Sequence, residues 1–310
     1  MFKEPILLLT YKRPETTKIV LNKILTIKPK KLYIFQDGPK IGFNEKDKIL
    51  YSKTTQLIKR IIASNKNTSF VFKRFTKNVG QRFIAKMVLD ETFKQEKKII
   101  FLEDDTFPDI SFFKYCSLML KKYQSNESIY HISGCNLYSG LTQKKISKQN
   151  IFLSKYPHFW GWATWKSKWK KLYNPNINDW QKYKFKFLDK HMDSANERRF
   201  FKFYISRNSQ KKHIGWDIPW IYKLILNNKK TIVPNFNLIK NVGYKYDPSG
   251  KGAKKFRELK LNKFINFDKI PKEIEHNYSY DDFLRKNFYL RENIFILVYR
   301  KLKKIFNEIF

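Results

Sequence analysis

The sequence has almost no cysteine, no long uninterrupted apolar run and no glycine-rich phosphate loop. Its two cysteines, Cys116 and Cys135, exclude a disulfide-dependent mini-protein and match no metal-ligand spacing. They read as reduced core thiols, which places the chain in the cytoplasm. No stretch of about 18 uncharged apolar residues occurs, so no transmembrane helix is expected. The N-terminal run 5–9 is too short for the apolar part of a signal peptide and reads as a buried first strand. Acids are scarce: 27 Asp and Glu stand against 64 Lys and Arg, a formal charge of +37. Such a surface attracts anions, whether nucleic acid, anionic lipid or phosphorylated substrates. Part of the excess is what AT-rich coding produces, since Asn, Ile, Phe and Tyr are abundant too. The lysines are dispersed rather than gathered on a stripe in a recognisable module, so no specific nucleic-acid partner is expected. With 42% hydrophobic and 17% aromatic residues, the chain is not disordered.

What is present is alternation. Apolar runs at 5–10, 30–36, 69–75 and 98–102 are separated by stretches of helical spacing at 15–27, 46–63 and 82–96. This β-α-β-α-β-α-β pattern predicts an α/β fold, a mostly parallel sheet with helices on both faces. Ligands of such sheets bind outside the carboxyl ends of the strands. Three of those ends carry polar groups, at 10–13, at Asp37 and at 103–105, and these are expected to converge on one crevice. The region 130–180 reads as loop-rich and aromatic. Residues 216–227 suggest a helix led by Asp217 with Pro219 in its first turn, and 230–234 a further strand. The organisation expected is a domain over 1–245, with halves at about 1–125 and 126–245, followed by a basic extension over 246–310. The apolar and basic residues of 284–310 suit a helix lying on an anionic membrane surface, or equally one packed on the domain.

Glu103-Asp104-Asp105 is the strongest chemical signal. Three consecutive acids at a strand exit repel one another unless a cation or cationic partner neutralises them. Oxygen ligands suit Mn²⁺ or Mg²⁺, with substrate phosphates completing the shell. A solvated acidic turn is the bland alternative. Asp37 can accept hydrogen bonds from a base or ribose, or merely close an Asp-Gly turn. Arg13, beside a helix start, can hold a diphosphate or be an ordinary surface arginine. Thr10 shares that strand end. In Asn78-Val79-Gly80-Gln81-Arg82, Gly80 permits close approach and Arg82 offers a second phosphate contact. Trp160, Trp162, Trp165 and Trp216 can present aromatic faces to a sugar ring, with Gly161 giving room for close approach, or simply pack the core. The histidines at 131, 158, 191 and 213 read as structural or surface residues rather than metal ligands.

Together LLLTYKRP, YIFQDGP, KNVGQRF, IIFLEDDTFPDISFFKY, HFWGWATWKSKW and GWDIPWIYKLILNNKKTIVPNFNLIKNVGY resemble GT-A glycosyltransferases. The likeness is to a bacterial sugar transferase group sharing motifs with the N-acetylglucosaminyltransferase I family, over about residues 5–244. That resemblance implies a GT-A, Rossmann-like fold and transfer of a sugar from a nucleoside diphosphate, UDP by preference, to a glycan hydroxyl with inversion. The acceptor would be a glycan or lipid-linked glycan of a bacterial surface polysaccharide or lipooligosaccharide, made at the inner face of the cytoplasmic membrane. It implies that Asp105 ligates Mn²⁺ (or Mg²⁺), that Glu103 and Asp104 bind donor sugar and ribose, and that Arg13 and Asp37 contact phosphate and uracil. Asp217 matches the general base. The late histidine that ligates metal in many such enzymes has no counterpart after Asn241-Val242-Gly243-Tyr244, where Asp247 or water would substitute. A sugar nucleotidyltransferase would share the acids, metal and sheet, but Thr10-Tyr11-Lys12-Arg13-Pro14 is not its glycine-rich loop. A basic nucleic-acid-binding protein is the non-enzymatic alternative.

Overall fold

The structure, a computed structural model, describes residues 1–211, 215–245, 253–262, 270–271 and 273–290. The first half follows the expected alternation. Strand β1 (Ile6–Thr10) enters helix α1 (Pro14–Leu25), whose Pro14 takes the first turn, where its missing N–H costs nothing. Then come β2 (Lys31–Gln36), α2 (Glu45–Ser64), β3 (Ser69–Arg74), α3 (Ile84–Thr92) and β4 (Lys98–Glu103). A short β5 (Thr106–Pro108) leads to α4 (Ile110–Lys122), started by the Asp109 carboxylate accepting from Ser111 N–H at 2.9 Å.

The second half is less regular. It runs β6 (Ile129–Ser133), α5 (Leu137–Thr142), β7 (Ile151–Ser154), β8 (Trp162–Trp165), α6 (Lys166–Leu172), α7 (Trp180–His191), α8 (Ala195–Ser209), α9 (Asp217–Leu226), β9 (Lys230–Pro234) and β10 (Ile239–Asn241). Beyond it lie α10 (Ala253–Arg257) and α11 (Tyr278–Asn287). Among the described residues the main sheet is eight-stranded, in the order β3-β2-β1-β4-β8-β6-β9-β7, with β8 and β7 antiparallel to their neighbours. The fold is thus the expected α/β architecture, mostly parallel and Rossmann-like. Strand β8 lies inside the stretch read as loop-rich. All four of its residues are buried, so it shows no alternation of polar and apolar positions to betray a strand.

Side chains alternate across the sheet. Ile6, Leu8, Leu32, Ile34, Ile100 and Leu102 pack under α1, α2 and α4, while Leu7, Leu9, Tyr33, Phe35, Ile99 and Phe101 pack under α3, α6 and α9. Each such buried side chain stabilises the fold by roughly 1.5–3 kcal/mol. A third cluster joins β7, α5, α7, α8 and α9 to α11, burying Tyr280 and Leu284 completely. The opening residues of the expected tail helix therefore pack on the body, and residues 291–310 lie outside the described residues, as do His213 and Asp247. Cys116 and Cys135 are free and buried. No helix among the described residues is long and apolar enough to cross a membrane.

Candidate functional site

Strand register decides which polar residues meet. Thr10 pairs with Gln36 across β1–β2, and Leu9 with Glu103 across β1–β4, so three strands end at one level. Beyond that edge lies a cavity of about 1060 Å³ lined by Thr10, Arg13, Asp37, Asn78, Gly80, Glu103, Asp104, Asp105, Trp160, Trp216 and Asp217, among others. The sheet order sets its layout. The β2 side carries Asp37 and Asn78, the middle carries the acids, and the β4–β8 side carries the aromatics. In a chain of net charge +37 this wall is acidic: among the described residues Glu15, Asp37, Glu103, Asp104, Asp105 and Asp217 stand against Lys12, Arg13 and Lys40. It does not suit a polyanion unless a cation intervenes.

Arg13 stands at the N-cap of α1, where its side chain does not cap the helix. Instead its Nη1 donates to Asp105 Oδ2 at 2.6 Å and to Asp104 Oδ1 at 3.3 Å. Tyr11 N–H donates to Asp104 Oδ2 at 3.1 Å. The cationic partner that the acids require is thus in part the chain's own. Burial pushes the Asp104 carboxyl up to about 7, with Arg13 opposing it. Burial, joined by the Asp105, Asp104 and Asp217 charges, pushes Glu103 up to about 8 even though Trp216 Nε1–H donates to it at 3.3 Å. Asp217, on the first turn of α9, therefore stands close enough to act on Glu103 from a different element.

The acids also fit a hard cation. Asp105 Oδ1 is buried with no hydrogen-bond partner, an orphan that a divalent ion would satisfy. Among the described residues no three His, Cys, Asp or Glu side chains form a metal cage. A Mn²⁺ or Mg²⁺ here would be held by Asp105, with Asp104 beside it and phosphate oxygens and water as its other ligands. Opposite Asp105 the chain places Gly243. A Cβ there would lie 2.6 Å from Asp105 Oδ2, so only glycine fits beside the carboxylate.

Four expected site residues do other work. Asp37 reaches the cavity wall, but its oxygens accept from Gly38 N, Val79 N, Gly80 N and Asn78 Nδ2 at 2.8–3.2 Å. Those four bonds fill its acceptor positions, so it fixes the 78–80 loop rather than reading a base. Arg82 is only 7% exposed and donates to the carbonyls of Asn208 and Pro175, locking α3 to the second half away from the cavity. Trp162 is fully buried and stacks behind Trp216 at 5.6 Å, supporting the wall without facing it. Gly161, at φ +58°, leaves room for Ile239, whose Cδ1 would lie 2.4 Å from a Cβ. Trp165 is also core.

The sequence reading missed Tyr11, Lys40, Phe159, Asn241, Gly243 and Tyr244 as cavity residues. Gly243 carried a usable signal, being one of only ten glycines and following Asn241-Val242. Among the described histidines, His131 and His158 belong to the core and His276 pairs with Asp281 at 2.7 Å. His131 is fully buried, with Nδ1 accepting from Trp220 Nε1–H at 3.3 Å and Nε2 bonded to the His158 carbonyl at 2.9 Å. Burial pulls His131 down to about 3 and His158 down to about 4.

No protein-family model matches the chain, and no curated protein matches it. Solved structures similar to it include HddC from Yersinia pseudotuberculosis, at 13% identity and a TM-score of 0.26, over 38% of this chain and 54% of that one. The chain thus spans about half the length of HddC. A UDP-glucose pyrophosphorylase complexed with UDP-glucose matches at 9% identity and a TM-score of 0.39, over 82% of this chain and 96% of that one. The 4-diphosphocytidyl-2C-methyl-D-erythritol synthase of Anaerococcus prevotii matches at 10% identity and a TM-score of 0.33, over 65% and 84%. Superpositions this loose bear on neither activity nor site.

Proposed function

We infer that the cavity binds a nucleoside diphosphate sugar and that the chain transfers the sugar to a hydroxyl of a glycan. The observation that supports this best is the placement of Asp217 in the same cavity as Glu103, Asp104 and Asp105, but on a different element. Inverting transfer needs two opposed functions: a cationic hold on the leaving diphosphate and a carboxylate that deprotonates the incoming alcohol. Arg13 supplies one charge toward the diphosphate. A divalent cation bound at Asp105 would supply the rest of the leaving-group stabilisation. Asp217 takes the proton. Trp160, set against Tyr244 at 5.6 Å, offers a face on which an acceptor sugar can stack, and Trp216, 6% exposed and backed by Trp162 and Phe159, shapes the wall beside it.

Sugar nucleotidyl transfer is the second reading. It uses the same acids and cation, and Asp217 has no necessary part in it. One assay separates the two. The chain is incubated with a panel of UDP-sugars and glycan acceptors, and separately with UTP and sugar 1-phosphates, each with and without Mn²⁺. Release of UDP on adding acceptor supports glycosyl transfer. Release of pyrophosphate with formation of UDP-sugar would replace that reading with the second.

A further inference from the structure

Arg13 occupies the approach to the acids. Its side chain is 54% exposed, whereas those of Asp104 and Asp105 are 7% and 12% exposed, so the guanidinium lies on their solvent side. Asp105 Oδ2 is wedged between Arg13 Nη1 and the Gly243 backbone. Asp105 Oδ1 is sealed from solvent and has no partner. While the guanidinium stays, neither oxygen of Asp105 is open to a cation arriving from the cavity. Two positive charges cannot share Asp105 Oδ2 without strong mutual repulsion. The Arg13 side chain is half exposed and caps nothing, so no helix bond has to break for it to leave. A diphosphate in the cavity gives the planar guanidinium two anionic oxygens in place of two carboxylate oxygens, a bidentate pairing that its fork matches well.

We propose that Arg13 is a resident counter-ion that couples the two ligands: it holds Asp104 and Asp105 when the cavity is empty, and transfers to the diphosphate to open Asp105 to a divalent cation. This rests on the reading of the cavity as a nucleoside diphosphate site, and goes beyond it by assigning an order and a linkage. Metal and diphosphate then bind cooperatively, and by reciprocity each raises the affinity of the other by the same factor. Arg13 thus touches the diphosphate as a binding group and, by leaving Asp105, links the two ligands.

The test is a binding measurement on the full chain and needs no turnover. Mn²⁺ affinity is measured by titration calorimetry or by the resonance of free Mn²⁺, with and without saturating UDP. In the native chain UDP is expected to tighten Mn²⁺ binding by about 5- to 150-fold. In Arg13→Gln, Mn²⁺ alone is expected to bind ~10-fold tighter than to the native chain, and the enhancement by UDP is expected to shrink by the same factor, to what direct phosphate ligation supplies. Arg13→Lys keeps the charge without the fork and should retain part of the coupling, which preserves the test if the Gln variant folds poorly. The proposal is overturned if Arg13→Gln raises Mn²⁺ affinity by the same factor with and without UDP, since that is simple charge removal. It is also overturned if the native chain binds Mn²⁺ equally well in both conditions, or binds UDP but no Mn²⁺. A native chain that binds no UDP at all instead removes the functional reading on which the proposal stands.

Discussion

The two walls of the cavity are built in different ways. The first wall comes from consecutive strand ends of one unbroken βαβ series, so Thr10, Arg13 and the acids of residues 103–105 meet because β1, β2 and β4 run side by side in register. The second wall is assembled from segments far apart in the chain, at residues 159–160, 215–217 and 241–244, carried in by the antiparallel β8, by α9 and by β10. The first is polar and charged, the second aromatic. The difference teaches where each kind of residue gets its position. A strand end is fixed by backbone pairing, whereas Trp216 is fixed by the rings behind it, Trp162, Phe159 and Phe101, and by its bond to Glu103.

The sharpest break between the walls should come from one acid on each. Asp217→Ala is expected to leave UDP-sugar binding intact and to lower the rate of transfer by roughly 100- to 10,000-fold. Asp105→Ala is expected to abolish the thermal shift that Mn²⁺ adds to UDP-sugar binding. Full turnover by the Asp217 variant would remove the base assignment and, with it, the functional contrast between the two walls.

Next in size is the contrast within the aromatic wall. Trp162→Ala should cost about 3–5 kcal/mol of stability in denaturant unfolding, because it empties a fully buried site. Trp160→Ala, which removes a partly buried ring packed against Tyr244 and Phe256, should cost less stability than Trp162→Ala and should in addition weaken use of the acceptor by about tenfold. If both variants lose only stability, the aromatic wall is packing and not a binding surface.

The smallest expected effect concerns acid. All five histidines lie after residue 125, so any histidine-linked acid lability belongs to the second half. His131 and His158 are held neutral by burial, at about 3 and about 4 against 6.5 in the unfolded chain. Below pH 6.5 the unfolded state takes up protons that the native state refuses. Stability from these two groups is therefore full above pH 6.5 and falls as pH drops toward their native values. Each should cost about 2 kcal/mol between pH 7 and pH 5. Replacing His131 by Gln, whose amide can serve the Trp220 and His158 partners, should flatten that part of the profile. An unchanged slope between pH 7 and pH 5 would show that other groups set it.

The legibility of the sequence follows the same division. The four parallel strands, the helices between them and α9 led by Asp217 were readable within a residue or two at most boundaries. Periodicity and turn residues are local, and local sterics fix them before any distant contact forms. The acids at 103–105 were readable because a charged triplet at a strand exit needs a partner. That the partner is in part Arg13, that Asp37 spends its oxygens on the 78–80 loop, and that Arg82 turns away to the carbonyls of Pro175 and Asn208 were not readable. A short carboxylate or a long guanidinium can satisfy its hydrogen bonds with any group within reach, and which groups lie within reach is set by chain packing. The sequence by itself determined an alternating α/β sheet with acids at its carboxyl edge. Only the tertiary structure decided which tryptophan faces the cavity and which supports it, because burial of an aromatic ring gains much the same free energy on either side of the wall.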